Sequence, residues 1–336
     1  MDDERAAARA VLRRLIEAPE AELSAAAREG LTRDGVWDVS APFGRLEGRE
    51  AVVEGLLRPL RAALPQGRRR DELFIGGENR RAEGGRWTAS VTHYLGTWTG
   101  ALAGLPPSGR LTWLRSGEFH RLEGGRIAQA RLILDVVDLA RQAGRLPLPR
   151  LLGAEMLFPA PERMDGVLPP HRERGAASLD LVERMLGALH AYDPQTLSSP
   201  EQTGPEGTWA DEMLWFGPGG IGSSYRWEGF VDHHRDAFLT AFPDRAGGNH
   251  YCRIGDGDYA AVSGWPSMTM THAGAYLGVP ATGRALTLRV MDFYSCHGGR
   301  IRENWVLLDY VDLFAQMGVD LIARAAEAGE GPRSPV

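Results

Sequence analysis

The chain has 336 residues, of which 43% are hydrophobic and 24% charged, with a net charge of −6; these proportions suit a folded protein of two domains. The acidic balance gives no footing for a nucleic-acid partner, and no apolar run approaches the roughly 18 residues that a membrane span needs. All 38 basic residues are arginine, so a lysine Schiff base and the lysine of a phosphate-binding loop are both excluded.

In chain order, helical patterns run from about Asp3 to Ala18 and from Ala21 to Gly30. A turn is expected at Arg33–Gly35 and an irregular stretch from Trp37 to Arg45. A further helix spans Glu50 to Leu64. Alternating runs separated by glycine-rich turns follow at Glu72–Ile75, Arg86–Thr97, Arg110–Arg121 and Arg126–Leu134, then a short helix from Val136. Such alternation predicts antiparallel strands. The second half repeats the order: helices over Ser178–Tyr192 and Phe230–Phe242, strands over Tyr259–Thr271, Arg284–Ser295 and Arg300–Leu308, and a closing helix from Tyr310. Helices first and strands later predict an α+β fold, two tandem domains each with helices on one face of a curved antiparallel sheet.

The two halves are copies. Gly104–Gly144 aligns without a gap on Gly278–Gly318, at a constant offset of 174, with 18 of 41 positions identical. One repetition at this length indicates a duplicated domain rather than a solenoid. The expected boundaries are 1–144 for the first domain, 145–175 for a strap, 176–325 for the second domain and 326–336 for a flexible tail. The strap holds six prolines, which exclude a helix or central strand. It also holds Leu151, Leu152, Met156, Leu157 and Phe158, so it is expected to lie against the domains. The charged N-terminus MDDERAAARAVLRRL is unlike a secretory leader, and Cys252 and Cys296 make no disulfide framework, so the expected compartment is the cytoplasm.

The stretch from Phe242 to Gly318, with THAGAYLGVPATGR, MDFYSCHGGRIRENW and VLLDYVDLFAQMG, resembles the SnoaL-like polyketide cyclase (ester cyclase) family of the nuclear transport factor 2-like superfamily. The first copy resembles it more weakly, through GTWTGALAGLPPSGR and GGRIAQARLILD. The resemblance implies a cone of curved sheet closed by helices, with a small hydrophobic ligand or substrate inside and no cofactor. The superfamily also holds epoxide hydrolases, dehydratases, ketosteroid isomerases and non-enzymatic binding modules, so the fold alone does not settle function.

Leu286, Leu288, Val290, Asp292 and Tyr294 share one face of their strand, which puts a lone carboxylate on an apolar stripe. Glu118 holds the equivalent place in the first copy. The bland reading is a strand-end carboxylate reaching solvent or an arginine. On the next strand Arg302, Asn304 and Val306 share a face that the resemblance turns inward. The family's catalytic Asp aligns with Val306 and Leu132, and its catalytic His with Asp292 and Glu118, so its proton-transfer pair is not retained. Asp292 is then the best replacement base, with Asn304 or Arg302 available to an enolate oxygen and His272, the histidine of the THxG turn, available to orient acid or substrate. Trp215, Trp265, Tyr294, Asp309 and Glu118 complete the candidates for substrate contact, although helix capping alone would explain Asp309. Adjacent His233 and His234 cannot share a helix face, and no metal site is expected.

Two readings stay open. One is a cofactor-independent cyclase, isomerase or lyase acting on a polyketide-like or other carbonyl compound, with the second copy at work. The other is a non-catalytic small-molecule binding protein; epoxide or ester hydrolysis is a lesser alternative. The outer sheet faces, with Trp113, Arg115 and Phe119 in one copy and Arg289, Met291 and Phe293 in the other, predict an internal pseudo-dimer packed sheet to sheet, which further oligomerisation could extend.

Overall fold

Each half of the chain builds one six-stranded sheet in the computed structural model, which describes residues 3–193, 199 and 202–328. The first comprises β1 (Leu31–Val39), β2 (Gly44–Glu47), β3 (Arg68–Glu78), β4 (Arg86–Thr97), β5 (Leu111–Glu123) and β6 (Arg126–Leu134), in the order β2-β1-β6-β5-β4-β3. The second repeats it with β7 (Trp209–Phe216), β8 (Ser224–Tyr225), β9 (Cys252–Asp256), β10 (Tyr259–Thr271), β11 (Ala285–Ser295) and β12 (Ile301–Leu308), in the order β8-β7-β12-β11-β10-β9. The α+β class expected from the sequence is present in both halves.

Three details differ from expectation. The sheets are mixed rather than wholly antiparallel, because β1 runs parallel to β6 and β7 parallel to β12. The region around Arg33–Gly35 and Trp37–Val39 is strand, not turn and irregular chain. Its register slips between Leu31 and Val36, and such a bulge breaks the two-residue alternation that marks a strand. Of the expected flexible tail, residues 326 and 327 belong to a helix, Leu321–Glu327, and residues 329–336 lie outside the described residues.

The pleat divides each central strand between two cores. In β11, Leu286, Leu288, Val290 and Tyr294 enter the second domain's own core under the helices Gly175–His190 and Asp236–Ala241. Met291 and Phe293 point the other way, into a cluster with Ile75, Trp87, Val91 and Phe119 of the first sheet. Phe119 and Phe293 lie 5.6 Å apart. At Gly117 an added Cβ would sit 2.8 Å from Leu307, so glycine permits the close approach of the sheets there.

Polar contacts across this junction occur in matched pairs. Asp135 caps the helix Val136–Gln142, pairs with Arg115 at 2.8 Å and accepts the backbone N–H of Gly219 at 2.8 Å. Asp309 caps Tyr310–Gln316, pairs with Arg289 at 2.8 Å and accepts the N–H of Ala41 at 3.3 Å. Each domain thus offers the other the same carboxylate and the same loop, the reciprocity of an isologous interface. The strap runs over both domains: Ala154 bridges to Ser223, Phe158 is buried beneath Arg115, and Val167 bridges to Phe74. Met156 and Leu157 remain exposed.

Candidate functional site

The inward face of β11 forms one wall of a cavity of about 90 Å³ in the second domain, several times the 10–15 Å³ that one water requires. Leu288, Val290, Asp292 and Tyr294 line it from β11, and Asn304, Val306 and Leu308 from β12. Trp215 of β7 faces it from the side. Asp292 is the sole carboxylate among the described lining residues. It lies opposite Val306, and Tyr294 lies opposite Asn304, so side chains from neighbouring strands converge on it. Tyr294 and Asn304 flank its carboxylate and act to lower its pKa, yet burial outweighs them and pushes it up from 3.8 to about 7. No cation contributes to the balance. Desolvation without a counter-charge produces this shift.

The opposite wall comes from a helix with a π-type turn over Val231–Arg235. π turns inside helices are frequent at functional sites because they re-aim the side chains they carry. Here His234 and Arg235 turn to the cavity. The His234 ring stacks on Trp215, with centroids 4.6 Å apart and planes at 16°. Its Nδ1 is buried without a hydrogen-bond partner. Burial, reinforced by Arg245 and Arg235, pushes its pKa down to about 3, so it is a neutral imidazole that retains one N–H to donate. The adjacency of His233 and His234 gave no reason to expect a site residue, and the structure brings His234 alone to the cavity.

The other sequence candidates lie elsewhere. Arg302 stands at the start of β12, beyond the helical cover, and pairs with Glu212 at 2.5 Å. His272 is held in its turn by Thr282, 3.0 Å from Nδ1. Trp265 lies under the Arg289 guanidinium at 4.8 Å, near the domain junction. Asp309 caps a helix and bonds across the junction, as described above. Asn304 lines the cavity beside Asp292, but its amide donates to Phe293 O at 3.0 Å. That amide is therefore engaged, and an oxyanion would need another donor.

Glu118 occupies the position equivalent to Asp292 in a very different setting. Arg69 bonds it at 2.7 Å and the Tyr94 hydroxyl donates to it at 2.6 Å. The same guanidinium reaches Asp71 at 2.9 Å, and Arg69, Asp71 and Glu118 have no exposed side-chain surface. The space left between its sheet and helices, lined by Leu15, Trp37, Tyr94 and Leu132, is about 10 Å³. Strand register identifies what changed. Arg68 pairs with Leu95, and Ala246 bridges to Thr269, 174 positions further on; Gly247 therefore stands where the first copy has Arg69. Likewise the π turns Val53–Leu57 and Val231–Arg235 correspond, so His234 and Arg235 replace Leu56 and Leu57. The second copy has lost the arginine that fills the first cavity and gained polar groups on the facing wall.

A family model for SnoaL-like polyketide cyclases matches residues 9–143 and 209–317. Among solved structures, IdmH of Streptomyces antibioticus, a candidate polyketide cyclase, is 20% identical; it covers 42% of this chain and 99% of its own, with a TM-score of 0.35. A candidate isomerase from Rhodopseudomonas palustris is 22% identical, covering 43% and 98%, with a TM-score of 0.32. A SnoaL-like candidate polyketide cyclase from Jannaschia is 15% identical, covering 41% and 92%, with a TM-score of 0.33. No curated protein sequence matches. With the family model matched in both halves, the chain belongs to the SnoaL-like polyketide cyclase family and carries two copies of its domain.

Proposed function

We propose that the second domain is a cofactor-independent acid–base enzyme of the cyclase, isomerase or lyase type, acting on a hydrophobic carbonyl compound. The observation that carries this reading is the Asp292 carboxylate, unpaired with any cation and raised to about 7 inside a largely apolar cavity. A base so placed is half ionised near neutrality and can both take and return a proton. In this mechanism Asp292 removes a proton from the carbon next to the substrate carbonyl. The His234 N–H donates to the oxygen as negative charge develops, and the enolate either attacks a second carbonyl, closing a ring, or is reprotonated by Asp292. Tyr294 and Asn304 hold the acid in place. The first domain, its cavity filled by the Arg69–Glu118 pair, serves as the other half of an internal pseudo-dimer, and the enzyme works in the cytoplasm.

With a substrate in hand, Asp292→Asn lowers turnover at least ~100-fold, the usual scale for loss of a general base. Glu118→Gln leaves turnover per folded molecule within about two-fold, since its site touches no ligand. The wild-type kcat/KM rises with pH through about 7 as Asp292 ionises. A silent Asp292→Asn with ligand binding intact would instead make this a binding protein.

A further inference from the structure

The outer strands, β3 in one sheet and β9 in the other, each present an edge of backbone groups that need partners. The two copies cover that edge differently. Along β3 the strap does so: Phe74 donates to Gly166 O at 2.9 Å and accepts from the Leu168 N–H at 2.8 Å. Along β9 and the residues leading into it, the cover comes from the other domain. The hairpin joining β3 to β4 is longer than its counterpart between β9 and β10, and it crosses the junction. Asn79 donates to Tyr251 O at 2.9 Å and accepts the Arg253 N–H at 3.0 Å. The Arg80 N–H donates to Arg253 O at 3.0 Å, and the Arg81 side chain donates to His250 O at 3.1 Å.

The segment gripped in this way is part of the cavity wall, since Gly248 and His250 both line the cavity. Arg253 binds both, donating to Gly248 O at 3.3 Å and from Nε to His250 Nδ1 at 3.0 Å. Its guanidinium pairs with Glu183 at 3.0 Å, and Glu183 pairs in turn with Arg80 at 2.7 Å. A chain of polar contacts thus runs from the first domain to the cavity of the second. Arginine can only donate, so Nδ1 must accept, and the proton of a neutral His250 ring sits on Nε2. The fold does not require this arrangement. Arg253 pairs with Val262, and Gly76 pairs with Thr88, which is 174 positions before Val262; glycine therefore stands in the first copy where the second has Arg253.

We propose that the first domain is a positioning partner for the second domain's cavity. Its β3–β4 hairpin, through Asn79, Arg80 and Arg81, fixes the segment Gly248–Arg253 and so holds the His250 ring in the cavity wall as the Nε2–H tautomer. The working cavity is then incomplete without the copy whose own interior is filled. This inference rests on the reading of that cavity as the substrate site, but not on Asp292 acting as a base.

The test is a long-range proton–nitrogen correlation spectrum of the histidine rings in the full-length chain at about pH 8, above the ordinary histidine range, with His250→Gln to assign the signals. The wild type shows a single His250 tautomer, Nδ1 bare and Nε2 protonated. Arg81→Ala and the double variant Asn79→Ala/Arg81→Ala unfold cooperatively in urea but show both tautomers in exchange. Arg81 is exposed, so the single variant carries the test should the double variant fail to fold. Ile133→Val loosens the sheet junction away from the hairpin and leaves the His250 signals unchanged, a control for lost stability alone. Once a substrate is known, the hairpin variants raise KM at least ~5-fold, the scale of one net hydrogen bond. Their kcat stays within about two-fold, because Asp292 stands on β11, two strands in from the β9 edge. The ring signals need no substrate, so they decide the positioning role even if the proton-transfer reading fails. A wild-type ring protonated on Nδ1, His250 signals unchanged in the hairpin variants, or a KM unmoved by them overturns the proposal.

Discussion

Asp292→Asn tests the central claim about the cavity without any substrate, because a desolvated acid is also a liability to the fold. The carboxyl has an ordinary pKa of 3.8 and about 7 in the folded chain. At about 1.4 kcal/mol per tenfold change in proton affinity, the ionised form costs the folded state up to about 4 kcal/mol. The sign follows from the raised value. Below pH 3.8 both states are protonated and the protein has its full stability. As pH climbs from there to about 7 the unfolded chain releases its proton first, and stability falls until the cost is complete. Asparagine has the same shape and never ionises. The variant should therefore match the wild type near pH 4 and exceed it by about 2–4 kcal/mol at pH 8, allowing for the part of the carboxyl that meets water in the cavity. Urea unfolding of both proteins at several pH values, read by their transition midpoints at common slope, gives the difference directly. Other titrating groups, Glu303 among them, cancel in the comparison. A difference that stays flat from pH 4 to pH 8 would refute the reasoning, since Asp292 would then be solvated or paired.

Two further substitutions probe the walls of the same cavity. Gly247→Arg restores to the second copy the arginine that pairs with the acid in the first; it should pair with Asp292, bring its pKa down and so flatten the fall in stability between pH 4 and pH 8, as measured by urea unfolding. His234→Phe keeps a ring against Trp215 but removes the N–H. It should lower kcat about 100-fold, the scale of one oxyanion donor, with KM changed less than five-fold; an unchanged kcat would assign the oxyanion to another group.

Much of the sheet wall was legible in the sequence because a strand's pleat is regular. Alternation along Leu286–Tyr294 put Asp292 and Tyr294 on the cavity side, and both line it. The same logic grouped Arg302 with Asn304 and Val306, but alternation tells which side a residue is on and not how deep it lies. Arg302 sits at the strand's start, past the helices, and meets solvent and Glu212. The helical wall was hidden for a different reason. The gapless repeat runs at an offset of 174, whereas the π turns correspond at 178, because the β3–β4 hairpin is four residues longer in the first copy than its counterpart. Without that correction Leu56 and Leu57 are never set beside His234 and Arg235. Once it is made, two core leucines exchanged for a histidine and an arginine are visible from sequence alone. Strands β1 and β7 escaped notice because each carries a register shift against its parallel partner.

The reciprocal bonds from Asp135 to the Gly219 loop and from Asp309 to the Ala41 loop tie the halves together as identical subunits would be tied. In an assembly of two separate identical chains, any substitution appears in both halves, so a change that helps packing in one pocket damages chemistry in the other. Here both halves are encoded independently on one chain. Arg69 can fill one interior with ion pairs while the other keeps its cavity, and the filled half packs against the one that carries the desolvated acid. Selection on packing and selection on the cavity can therefore act on different stretches of the same gene.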